Sequence, residues 1–198
     1  MRRRIATTLA AVAAAALVAA VPAFADDDDD DDRAGGGGDR ICRGVIGATS
    51  IDGDVRVPAG ARCVLTKTRV DGDVKVARNA RLVARNARID GNIQGTRHRS
   101  VNVRGGSVDG NIQLKKGRAA VVRSVTIDGD LQATSNRGVQ TFRANRIDGN
   151  LQSFSNRGVQ TIRGNRIDGD LQCKSNRPAP RGGGNVVDGD KENQCRRL

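Results

Sequence analysis

Aromatic residues are nearly absent: the 198-residue chain has three phenylalanines and neither tryptophan nor tyrosine. That scarcity removes the stacking surfaces on which sugar rings and unpaired bases are held. It also leaves few bulky side chains to fill a wide core. There is a single histidine, His98, and only four cysteines, so arrangements of a nucleophile and a base have few members to draw on. Acidic residues are outnumbered, 22 against 34 lysines and arginines, and the net charge is +12.

The N-terminus has the pattern of a secretory signal. Arg2, Arg3 and Arg4 precede an Ala/Val/Leu run from Ala6 to Val21, and Ala23-Phe24-Ala25 forms a small-x-small cleavage site. The run is short and alanine-dominated for a membrane span, which needs about 20 strongly apolar residues. Cleavage after Ala25 is therefore expected, with residues 1–25 as the signal peptide and no transmembrane segment left after it. No cysteine follows the run for lipid attachment, and Cys195-Arg196-Arg197-Leu198 carries no apolar tail. The expected product is secreted, either free outside the cell or held non-covalently at its envelope.

Loss of the three signal arginines lowers the net charge to +9. Seven consecutive aspartates, Asp26 to Asp32, and the run Gly35 to Gly38 then open the chain. Such a segment buries no apolar surface, so residues 26–40 are expected to be a disordered, solubilising tail rather than a calcium-binding one. From Arg33 onward there are 31 basic and 15 acidic residues, a net +16.

What dominates the remainder is a repeat. Ile/Val-Asp-Gly-Asp/Asn recurs eight times, with its first aspartate at Asp52, Asp71, Asp90, Asp109, Asp128, Asp148, Asp168 and Asp188. The period is 19 residues, lengthening to 20 after Asp128. A fixed period of this kind marks a solenoid. Within each unit apolar residues alternate with polar ones, as on a strand with one buried side: Ile51, Val55 and Val57 in one unit, Ile127 and Leu131 in another. A second apolar column follows through Leu65, Leu82, Val122, Phe142 and Ile162. The predicted fold is all-β: a single-stranded parallel β-helix over residues 41–198, right-handed, with about eight coils of 19–20 residues.

Glycine, asparagine and histidine accept positive φ most readily. The column Gly60, Asn79, His98, Gly117, Asn136, Asn156, Asn176 is therefore predicted to be one left-handed corner per coil. On that reading His98 is a turn residue rather than a ligand or base. A second corner is predicted near Gly105-Gly106, Asn145, Gly164-Asn165 and Gly184-Asn185. An even number of cysteines in an exported chain implies disulfides. Cys42 and Cys63 are 21 residues apart, and Cys173 and Cys195 are 22 apart. Each interval is about one coil, whereas any cross-pairing would span many rungs. Cys42–Cys63 and Cys173–Cys195 are thus expected to staple the two ends.

Eight aspartates one rung apart repel, by about 3–4 kcal/mol per adjacent pair at an effective dielectric near 20 and about 1 kcal/mol in water. Two positions upstream stand Arg69, Arg88, Arg146 and Arg166, and an arginine ladder beside the aspartate ladder is the simplest balance. The rival is a row of calcium ions. Against it, the fourth motif position is asparagine at Asn92, Asn111 and Asn150, and no repeat supplies a distal glutamate. A third reading makes Asp-Gly simple turn chemistry. Further along the strand, Gln94, Gln113, Gln132, Gln152 and Gln172 form a row whose amides can bond from rung to rung.

Basic corners are the better binding candidates. Arg137, Arg157 and Arg177 repeat in one turn, and Arg143 and Arg163 in the next segment. Rows of arginine suit anionic cell-wall polymers or extracellular polysaccharide. Without aromatics, any contact with nucleic acid would be salt-sensitive and blind to sequence. Apart from the Asp26–Asp32 run and Asp39, every aspartate belongs to the repeat, so the expectation is a non-enzymatic extracellular structural or interaction protein, with a calcium- or polyanion-dependent binding module as the alternative.

The motif Ile-Asp-Gly-Asp/Asn-Leu-Gln, together with the signal and the terminal Cys195-Arg196-Arg197-Leu198, resembles a group of small secreted repeat proteins of actinobacteria. The arginine-rich, lysine-poor composition suits a high-GC source. More distantly, the spacing from Ile51 to Asp190 is similar to that of bactofilins, which implies a right-handed β-helix. Bactofilins are cytoplasmic, lack disulfides and polymerise head to tail. The stapled ends expected here set this chain apart from them.

Overall fold

The computed structural model describes residues 38–198; the expected signal peptide and nearly all of the expected acidic tail lie outside the described residues. The first strand, Arg40–Ile41, already pairs with Val55-Arg56 of the next coil, so stacking starts at the boundary drawn between tail and solenoid. Every regular element that follows is a strand, and each pairs in parallel with the strand one coil away.

Each coil has three faces and three corners. After the Asp-Gly-Asp/Asn corner comes the first face, a ladder of nine strands from Arg40–Ile41 to Lys191–Asn193. Its register stacks like on like, with Ile112 over Ile93 and Leu131, Leu151 and Leu171 above them. The second face carries strands such as Ala119–Arg123 and Gln140–Arg143, and the short third face such as Arg146–Ile147 and Arg166–Ile167. These two faces share a second sheet of 14 strands. In two coils, Arg81–Ile89 and Ser100–Val108 run through the intervening corner as one strand.

Alternation explains the core. Inward residues of all three faces, among them Val55, Leu82, Ile89, Ile112, Val122, Phe142 and Leu171, are fully buried. β-Branched and leucine side chains stack on copies of themselves, which fills a narrow tube without aromatic bulk. The change of period has a definite place. Gly138 still hydrogen-bonds to Arg118 one coil below, but Ala120 is paired with Gln140. The twentieth residue therefore enters at Val139, and again at Val159. Both point outward, 56% and 47% exposed, so lengthening the coil leaves the inward register intact.

The predicted corners are present: at the second, Gly105, Gly106, Gly164 and Gly184 have positive φ where the sequence placed it, whereas at the first the left-handed residue stands one position earlier than expected from the third coil on. Gly60 and Asn79 do have positive φ. From the third coil on, the positive φ belongs to Arg97, Lys116, Ser135, Ser155 and Ser175, and at the second corner to Lys67, Asn86, Gly105, Ser124, Ala144 and Gly164. The asparagine that follows points inward and is buried: Asn136, Asn156 and Asn176 at one corner, Asn145, Asn165 and Asn185 at the other. Each sharp turn leaves backbone groups without an in-sheet partner, and a buried amide supplies both a donor and an acceptor. Asn156 Oδ1 accepts the N–H of Asn136 at 2.9 Å, while its Nδ2 donates to the carbonyl of Ala133 at 2.9 Å. Asn165 likewise accepts from Asn145 N–H and donates to Phe142.

Both expected disulfides are formed, with Cα separations of 5.4 Å for Cys42–Cys63 and 5.2 Å for Cys173–Cys195. At the C-terminal end a short turn closes over the last coil: Cys195 N–H donates to Glu192 and Leu198 N–H to Cys195, and Leu198 rests on the core.

Candidate functional site

The aspartates of the motif corner are the most function-like feature of the sequence. The motif's fourth residue makes a continuous ladder. Asp54 Oδ1 accepts the N–H of Asp73, Asp73 that of Asn92, Asn92 that of Asn111, and so on through Asp170 to Asp190, at 2.7–2.9 Å. Asp and Asn are interchangeable here because only the Oδ1 acceptor is needed. The glycine before it is required by closeness. A Cβ on Gly110 would lie 2.6 Å from Asn92 Oδ1 and 2.8 Å from the Gly91 carbonyl oxygen. Glycine and Asp/Asn are thus one device for stacking coils.

The motif's first aspartate points outward, and the arginine two positions before it bridges two rungs. Arg69 contacts Asp71 at 3.0 Å and Asp90 of the next coil at 2.7 Å. Arg88 reaches Asp90 and Asp109, Arg146 reaches Asp148 and Asp168, and Arg166 reaches Asp168 and Asp188. The hydrogen bond to Asp71 and the charge of Asp90 hold the Arg69 guanidinium above its ordinary pKa. Asp52 and Asp128, preceded by Ser50 and Thr126, have no ion pair among the described residues. Lys75 bonds to Asp54 and approaches Asp73 at 3.7 Å. The Lys75 hydrogen bond, then the Asp73 N–H, lower the Asp54 pKa. Arginine thus joins six of the eight leading aspartates, and the ladder of balanced charge has gaps at Asp52 and Asp128. The glutamine row bonds from rung to rung only near its end, Gln152 to Gln172 and Gln172 to Glu192.

His98 does not occupy the left-handed position expected of it; Arg97 does. The imidazole is fully buried and lies against Gly95 and Gly117, where any Cβ would collide with the ring. Neither ring nitrogen has a hydrogen-bond partner of good geometry. Burial pushes the pKa below its ordinary 6.5, and the nearby Gly95 backbone opposes this only in part. This is a neutral core histidine, without access to a substrate.

The arginines are distributed differently from the aspartates. Of the 15 acidic residues after the aspartate run, all but Asp39 and Glu192 belong to the repeated motif. Apart from these two, the acid of the described residues stands at one corner, and the other two corners are basic. Strand register puts Arg143 and Arg163 in one column with Arg85, Arg104 and Arg123. Backbone hydrogen bonds through the other corner align Arg137, Arg157 and Arg177 above Arg99 and Arg118. All ten side chains are exposed, and none makes an ion pair or side-chain hydrogen bond among the described residues. At about 4.8 Å per rung, each adjacent pair within a column repels by about 1 kcal/mol in water. The two columns border the second face. Around the Arg118–Arg137 corner, Arg78, Arg97 and Lys116 line an open groove and add to the same positive field.

The five arginines singled out from sequence fall into these two columns, three in one and two in the other. Arg85, Arg99, Arg104, Arg118 and Arg123 complete them. The missed residues lie in the 19-residue coils, where the flanking sequence differs, and only the repeat distance pointed to them.

Compared with protein-family models, curated proteins and solved structures, the chain matches none.

Proposed function

We propose that this protein is a non-enzymatic extracellular scaffold that holds anionic polymers of the cell envelope along its basic corners. The observation that carries this reading is the contrast between the two kinds of charge column. Six of the eight leading aspartates of the motif are paired with arginines of their own or a neighbouring rung, whereas the ten arginines stacked at the other corners have no ion-pair partner among the described residues. A like-charge column that the fold leaves uncompensated is a standing attraction for an opposite partner. Arginine also pairs carboxylate and phosphate in a bidentate manner. The two disulfides support an oxidising location, in keeping with the expected signal peptide.

The test is retention of the mature chain on isolated cell-wall material across a sodium chloride series. Binding at low salt that is lost as salt rises supports the proposal. Absence of retention even at the lowest salt ends it.

A further inference from the structure

The second face between the two arginine columns is built as a track, and it narrows the chemical class of the polymer. This inference rests on the polyanion reading above. Four consecutive coils carry an arginine at both borders: Arg99 with Arg104, Arg118 with Arg123, Arg137 with Arg143, and Arg157 with Arg163. The borders are five or six residues apart, roughly 15–20 Å at about 3.3 Å per strand residue. Between them the outward side chains of the midline are Asn102, Val121, Thr141 and Thr161, in strict register from coil to coil, and Val83 and Val64 continue the row beyond the paired borders. These residues are short and mostly half-buried. The floor is therefore flat, partly apolar and lightly hydroxylated, with no carboxylate on it.

We infer that this track binds an extended polysaccharide bearing carboxylate groups, lying along the solenoid axis. Three features select that chemistry. A pyranose chain has C–H faces that rest on valine and threonine methyl groups, and hydroxyls for the polar floor residues; a bare phosphate chain has no apolar face to place there. Uronate carboxylates project from the edges of such a ribbon, where guanidinium groups meet them in bidentate pairs. One sugar unit is comparable in length to one rung, so successive carboxylates meet successive arginines. Nucleic acid fits less well, because the floor offers no aromatic side chain on which a base could stack, and a duplex is round where the track is flat.

The two borders act together in this arrangement, which separates it from independent attraction to either column. The experiment is titration of the mature protein with oligogalacturonates of two to ten sugars, beside linear polyphosphate and duplex DNA, at one low salt concentration. Affinity is expected to rise with oligosaccharide length up to about four sugars, one per double-bordered coil, and then to level off. R118Q/R137Q and R123Q/R143Q, on opposite borders, are each expected to weaken oligogalacturonate about 10-fold or more. V121E, which places a charge on the floor, should do the same while its circular dichroism and melting stay those of the wild type. A second floor variant, T141D, guards against a local folding defect at Val121. Polyphosphate or DNA binding as tightly as oligogalacturonate, with no effect of either floor variant, would overturn the polysaccharide assignment and leave the general polyanion reading standing. Failure of all three polymers to bind would overturn both.

Discussion

Asn92 Oδ1 accepts the backbone N–H of Asn111, one coil further on, at 2.8 Å. That bond, repeated from Asp54 to Asp190, shows what the motif is for: it fastens each coil to the next at the Asp-Gly-Asp/Asn corner. The glycine beside it lets the backbones approach. Gly110→Ala is expected to force a Cβ against Asn92 and the Gly91 carbonyl, destabilising the protein by about 1–3 kcal/mol. Urea unfolding measures this. An alanine tolerated without loss would mean that the close approach is not required.

The buried asparagines act in the same way from inside. Asn156→Ala leaves the Asn136 N–H and the Ala133 carbonyl without partners, and each orphaned group costs about 1–3 kcal/mol. A loss of about 3 kcal/mol is expected in the same unfolding experiment. Amide exchange should quicken first at Asn136.

Much of this architecture is legible in the sequence, and the exceptions have physical causes. The inward columns through Ile51, Ile127 and Phe142 are readable because strand alternation and the 19–20-residue period report the same register. The roles of Asn136 and Asn156 are not. Asparagine is favoured both as a left-handed residue and as a partner for turn backbone, and composition does not separate the two. The pairing of Ser155 with Asn156 and Ser175 with Asn176 resolves it in the structure: the serine takes the positive φ and the asparagine turns inward. For His98 the same ambiguity predicts a left-handed turn residue, whereas in the fold Arg97 takes the positive φ and the imidazole is buried.

Burial of His98 has a consequence for pH. Its folded pKa lies below the ordinary 6.5, so the unfolded chain binds the proton more readily. The contribution of the neutral ring is present in full above pH 6.5 and declines as pH falls through and below that value. Melting temperature should therefore drop between pH 7.5 and 5.5, a window above the titration of ordinary carboxylates. His98→Asn, which places in this column the residue found at Asn136, should abolish that slope. Retention of the slope in the variant would assign it to another group.

The aspartate ladder has a gap that can be filled. Thr126 pairs in register with Arg146 and precedes Asp128, which lacks an ion pair among the described residues. T126R should reach Asp128 and Asp148 as Arg69 reaches Asp71 and Asp90. The gain is expected to be small, below about 1 kcal/mol, as for other exposed pairs, and to shrink in high salt. Destabilisation of T126R at low salt would show that repulsion from Arg146 outweighs the new contacts.

The claim that matters most is that the uncompensated arginine columns are a binding surface. The direct measurement is the binding constant for a soluble anionic wall polymer as a function of salt, for the wild type and for R118Q/R123Q/R137Q/R143Q. The wild type should show a linear fall of log Kobs with log salt, and the variant a shallower line by up to about four ions released, at a melting temperature no lower than that of the wild type. Identical slopes and affinities in the two proteins would contradict the account.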